Sequence, residues 1–188
     1  MDNEAELIQR CKKNDRAAQQ AIFKYYSSKM MGICLRYSKN VDDAKDILHD
    51  GFFKVFTTIS KFRSDSALET WMTRVFINTA ISHLRERSKK YNHLSIDDAY
   101  IELADEPIED ENKRAIDKLE KEDALALVRK LPEKYQLIIN MYAVEGMSHK
   151  EIAETLGVSE GTSKSQLSRA RKMLSDMFKE YNGRREAK

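Results

Sequence analysis

The chain is short of residues that interrupt helices. Only 6 Gly and 2 Pro punctuate its 188 residues, while 34% of residues are charged. That balance suits helices joined by short connections and leaves little room for sheet. Cysteine is scarce too. Cys11 and Cys34 lie far apart, with no CxxC and no nearby His pair, which argues against a zinc site and against a disulfide framework. Both are expected to be small buried apolar residues in a reducing cytosol. No apolar run approaches the ~20 residues of a membrane span, and the acidic opening MDNEAELIQR shows no signal peptide. A cytoplasmic chain without direct membrane insertion, metal or cofactor is expected. An excess of one charge is missing as well. The net charge is only +2, so affinity for nucleic acid must come from local clustering.

Such clustering occurs in residues 148–174, SHKEIAETLGVSEGTSKSQLSRARKML. Ser148 followed by Glu151 is a capping box that starts a helix. Gly157 suits the left-handed residue that ends it, and Ser159 is the next N-cap. The spacing is that of a helix-turn-helix, whose second helix enters the major groove of duplex DNA. Wound at 3.6 residues per turn, that helix presents Leu167, Ala170, Leu174 and Phe178 as one apolar stripe. Thr162, Ser165, Arg169 and Lys172 project from the opposite face. Lys164 and Arg171 lie nearer the seam, where long stems reach phosphates. Asp176 continues the outward face and repels a DNA backbone, which confines contact to the N-terminal half. The plainer alternative is a solvated cationic face on a surface helix. Two capped helices, a glycine turn and an aligned polar face favour DNA.

A composition break falls at residues 92–112, NHLSIDDAYIELADEPIEDEN, which hold eight carboxylates and no Lys or Arg. Pro107 disfavours helix at its centre. The segment reads as an acidic linker, either a soluble spacer or a strand that occupies a basic channel when nucleic acid is absent. It separates a domain at 1–91 from one at 113–188. Before it, helices are expected near 3–12, near 15–38 with Asp15 as cap, from Asn40 to about Ser60, and from a cap at Ser64 or Ser66 to about Lys90. After it come residues 113–130, a helix opened by Pro132, and the helix-turn-helix. The expected architecture is all-α, two helical domains on an acidic tether.

Two further surfaces stand out. In the third helix, Ile47, Leu48, Gly51, Phe52, Val55, Phe56 and Ile59 form a broad stripe for the core. Asp43, Asp46, Asp50 and Thr57 point away from it with Phe53 beside them. An aromatic among carboxylates fits a protein contact, and equally a widened core stripe. In the fourth helix, Met72, Phe76, Ile77, Ala80 and Leu84 face inward. Trp71, Arg74, Asn78, Ser82 and Arg85 share the other side, with Arg87, Lys89 and Lys90 beyond. The loop before it, Lys61-Phe62-Arg63-Ser64-Asp65-Ser66, sets another aromatic between two cations. Such a surface suits stacked unpaired bases and gripped phosphates; the alternative is that Trp71 packs under the first helices.

The chain resembles an extracytoplasmic-function (ECF) sigma factor, a compact member of the bacterial sigma-70 family. DDAKDILHDGFFKVFTTISKF at 42–62 is similar to region 2.2, ALETWMTRVFINTAISHLR at 67–85 to regions 2.3 and 2.4, and residues 131–174 to region 4. The resemblance implies that Asp43, Asp46, Asp50 and Phe53 bind the clamp coiled coil of the RNA polymerase beta-prime subunit. It implies that Lys61, Phe62, Arg63, Ser64, Trp71, Arg74 and Asn78 capture the non-template strand at the −10 element of promoter DNA. Region 4 then reads the −35 element through Thr162, Lys164, Ser165, Ser168, Arg169, Arg171 and Lys172, and meets the polymerase beta flap. The linker threads toward the RNA exit path, and an anti-sigma factor, often membrane-bound in this family, holds the protein inactive. The sequence departs from the family pattern at three places. A Gln-Glu pair is common where His49-Asp50 stands, Asp where Ser82 stands, and Val where Ser163 stands.

Two rivals compete with this reading. A LuxR-type regulator ends in a similar helix-turn-helix, but the N-terminal half lacks the alternating α/β pattern of a receiver. The adjacent His49-Asp50 pair occurs in metal-dependent phosphohydrolases. A metal site there needs several further ligands, and the other histidines, His83, His93 and His149, are scattered.

Overall fold

A computed structural model describes residues 4–91 and 126–186, with side-chain environments over 4–87 and 126–181. The acidic segment at 92–112 and the expected start of the second domain at 113 lie outside these residues. Two compact units divide the chain, Met1–His93 and Leu94–Lys188.

The first unit contains α1 (Glu4–Lys12), α2 (Arg16–Tyr37), α3 (Val41–Thr58), a 3-10 turn (Ile59–Lys61) and α4 (Leu68–Tyr91). Local chemistry sets two of the starts. Asp15 Oδ1 accepts from the amides of Ala17 and Ala18 at 2.9 and 3.2 Å, and Arg10 Nε donates to Oδ2 at 2.8 Å. The Arg10 hydrogen bond, with those amides, holds the Asp15 carboxyl below the ordinary carboxylate range. Asn40 Oδ1 accepts from the Asp43 amide at 2.8 Å. The fourth start differs from expectation. Neither Ser64 nor Ser66 caps α4, which begins at Leu68. Ser64 instead takes a left-handed backbone, φ 62°, and the chain turns to deliver Leu68 into the core, 1% exposed. Burying a leucine is worth ~1.5–3 kcal/mol, against about 1 for a cap.

The helices α2, α3 and α4 pack on one another, and α1 packs on α2. Ile22 and Met30 of α2, Ile47, Phe52 and Val55 of α3, and Met72, Phe76, Ile77 and Ala80 of α4 are buried. Leu48 and Phe56, expected in the stripe, are half-buried at its edge. The Phe52 ring meets the Phe76 ring edge-on, centroids 5.2 Å apart.

The second unit is described from residue 126, with α5 (Glu133–Ile139), a π turn (Asn140–Val144), α6 (His149–Leu156) and α7 (Glu160–Glu186). Pro132 stands at the N-cap of α5, one residue before its expected first-turn place. The capping box of α6 is complete: the Ser148 side chain accepts from the Glu151 amide, and the Glu151 side chain accepts from the Ser148 amide at 2.9 Å. Gly157 ends α6 at φ 73°, and its amide donates to the Ala153 carbonyl at 2.8 Å. Ser159 Oγ then accepts from the Thr162 amide at 2.9 Å, opening α7. Leu167, Ala170 and Leu174 are buried, as are Ile138, Met141, Ile152 and Leu156, and α7 packs on α5 and α6. Phe178, expected to extend that stripe, is only half-buried.

Candidate nucleic-acid interface

On α7 the outward side chains fall as the helical period dictates. Lys164 and Lys172 are exposed; Thr162, Ser165, Ser168, Arg169 and Arg171 are half-buried. All seven lie on one element, so the fold unites them. Local hydrogen bonds order the first turn: Ser159 Oγ and Thr162 Oγ1 are 2.8 Å apart, and Ser165 Oγ donates to the Thr162 carbonyl at 3.1 Å. Ser163 turns inward and is fully buried. His149 Nδ1, at the start of α6, lies 3.0 Å from Ser163 Oγ, so a polar contact ties the two helices. Burial, then the charges of Lys164 and Arg171, hold the His149 imidazole below its ordinary value, with Glu160 opposing.

The loop before α4 and the first turns of α4 form the second surface. Lys61, Arg63, Ser64, Arg74 and Asn78 are exposed, and Trp71 is half-buried. Phe62 departs from expectation. Its ring is 4% exposed and packs on Trp71 with centroids 5.3 Å apart, while Lys12 Nζ donates to its carbonyl at 2.8 Å. The ring cannot offer a base its face in this arrangement; it backs Trp71, whose remaining surface faces outward.

The third surface is on α3. Phe53 is 70% exposed, which decides against the widened core stripe. Asp46 and Asp50 are exposed and Asp43 is half-buried. Two contacts from α4 are not visible in the sequence pattern. Arg87 Nη1 donates to Asp43 Oδ2 at 2.9 Å, and His83 Nε2 lies 2.7 Å from Asp50 Oδ2. The partners are 44 and 33 residues apart, so only the fold brings them together. Among the described residues, no group of three His, Cys, Asp or Glu is placed to hold a metal, and no helix is long and apolar enough to cross a membrane.

Comparison with known proteins matches both units. Residues 22–90 fit the family described as Sigma-70 region 2, and residues 121–174 fit Sigma-70, region 4. The RNA polymerase sigma-H factor of Pseudomonas aeruginosa is 28% identical over 178 residues, covering 92% of each chain. The ECF RNA polymerase sigma-E factor of Haemophilus influenzae is 30% identical over 178 residues, covering 89% of this chain and 91% of that one. Among solved structures, the sigma factor RpoE of Bartonella quintana, in complex with the anti-sigma factor NepR, aligns with a TM-score of 0.55 at 22% identity, covering 85% of this chain and 96% of that one. CnrH, solved with the cytosolic domain of CnrY, aligns at 0.53 and 17%, covering 92% and 95%. The helical units, the order of their surfaces and these matches together place the chain in the sigma-70 family, as an RNA polymerase sigma factor of the ECF type.

Proposed function

We propose that this sigma factor divides its work among the three surfaces. The acidic face of α3, with Asp43, Asp46, Asp50 and Phe53, docks on the clamp coiled coil of the polymerase beta-prime subunit. Trp71, Arg74 and Asn78 of α4, with Lys61, Arg63 and Ser64 of the preceding loop, hold the opened non-template strand at −10. The N-terminal half of α7 reads −35 duplex. The observation that carries this reading is the capped helix-turn-helix, whose cations face away from its core, in one chain with an exposed aromatic set among carboxylates. The polymerase performs the chemistry, so the chain contributes address and strand capture. Each stacked step lost on opening costs ~1–2 kcal/mol. Stacking on an aromatic returns ~1–3 kcal/mol per base, enough to offset the loss locally.

We further infer a cytoplasmic site of action, a domain break with 92–112 as linker, and control by an anti-sigma factor; the last is supported by the structural relative solved with the anti-sigma factor NepR. The test is in-vitro transcription with purified core polymerase on genomic fragments. Defined start sites should appear only when the chain is added. A regulator of the LuxR type would bind duplex DNA without core enzyme and confer no start-site selection, and that outcome overturns the proposal. The described residues of the first unit are all helix, turn or loop, which supports the sigma reading over a receiver.

A further inference from the structure

Two aromatic side chains outside α7 make contact with it. Tyr142, within the π turn, has the Arg171 guanidinium carbon 5.4 Å from its ring centroid. The same ring stacks on His149, centroids 4.8 Å apart and planes inclined by 27°. His149 in turn reaches buried Ser163 on α7. A single chain of contacts therefore runs from the first turn of α7, through the start of α6 and the π turn, back to α7 two turns later. Turns of the π type concentrate at functional sites.

The chemistry of the contact suggests its use. A guanidinium laid against an aromatic face keeps its in-plane N–H groups free to grip a phosphate. Contact with the ring also restricts rotamer freedom before binding, so less is lost when DNA arrives. Arg171 stands at the seam of α7 and not at the centre of its outward face. That position suits the DNA backbone, whose contacts fix register without reading sequence. We propose that Tyr142, seated on His149, is a positioning residue that holds Arg171 as a phosphate clamp for −35 DNA. The proposal rests on the reading of α7 as the duplex-binding helix.

The experiment uses holoenzyme assembled from core polymerase and the full chain. Binding is titrated against salt on a promoter fragment and on the same fragment with its −35 element scrambled. Wild-type holoenzyme should prefer the intact fragment; failure to do so overturns the reading of α7 itself. With that preference established, Tyr142→Leu should weaken binding about two- to fivefold and reduce the log–log salt slope by about one, as loss of one phosphate contact requires. Tyr142→Phe, which keeps the ring, should restore both. Arg171→Ala should show the same slope change, and the double variant should be no worse than Arg171→Ala alone. An unchanged slope in Tyr142→Leu, or additive losses in the double variant, overturns the proposal. Arg171→Lys decides the matter should Tyr142→Leu fail to fold. Lysine keeps the charge but not the planar guanidinium, so binding equal to wild type would overturn it, and about twofold or greater weakening would support it.

Discussion

The Phe76 ring occupies the space where a side chain at Gly51 would begin. A Cβ built on Gly51 would lie 2.3, 2.6 and 2.7 Å from three atoms of that ring. Glycine at this point of α3 is therefore what lets α3 and α4 approach closely.

Gly51→Ala should destabilise the first unit by ~1–3 kcal/mol through overpacking, although alanine is the better helix former by about 1 kcal/mol. The ring is fully buried and must shift to admit a methyl group, so the clash outweighs propensity. Urea denaturation followed by circular dichroism should show a lower midpoint for this unit. Phe76→Leu in the same chain should recover part of the loss.

Phe53→Ala should leave stability within about 0.5 kcal/mol of wild type, because the ring is mostly in solvent. Combined with Asp50→Arg it should lower affinity for core polymerase by about tenfold or more, as expected for loss of an aromatic anchor and a reversed charge. A competition pull-down measures it, and unchanged affinity would move the docking surface elsewhere.

Trp71→Ala should spare occupancy of duplex promoter yet reduce opening by about tenfold, within the range for one lost base stack. Permanganate reactivity of thymines near −10 reports opening. Phe62→Leu should act in the same direction but more weakly, since Phe62 supports the indole and offers no face of its own. Normal opening in Trp71→Ala would make the indole a packing residue only.

The His149 contact predicts a pH dependence of the second unit. Burial and the neighbouring Lys164 and Arg171 charges place its folded pKa below the unfolded value of about 6.5. As pH falls, the unfolded chain takes up the proton first. The stabilising contribution is therefore complete above about pH 6.5 and is lost as pH falls through the folded value. Melting of the second unit between pH 5 and 8 should fall toward acid, and His149→Gln should flatten that fall.

Local chemistry made much of this structure legible in advance. The caps at Asp15, Asn40, Ser148 and Ser159, and the left-handed Gly157, each depend on residues within three or four positions, and each forms. The stripe of Ile47, Gly51, Phe52 and Val55 follows directly from the helical period. What escaped depends on distant partners. Phe62 between two cations looks solvent-facing until Lys12 and Trp71 close over it. The opening of α4 is decided by a burial site for Leu68 and not by the nearest serine. His83 and Arg87 meet Asp50 and Asp43 only once α3 and α4 are packed. The π turn that carries Tyr142 has no marker in residue type, since asparagine, methionine, tyrosine, alanine and valine all fit a regular helix as well.

Cys11 and Cys34 are both fully buried in the first unit. Burial raises both thiols, Cys34 to about 12, so neither forms the reactive thiolate at neutral pH. Neither sulfur is placed to attack a peroxide or disulfide in solution while the first unit stays folded. The fold thus keeps both sulfurs out of thiol exchange with the surrounding solution.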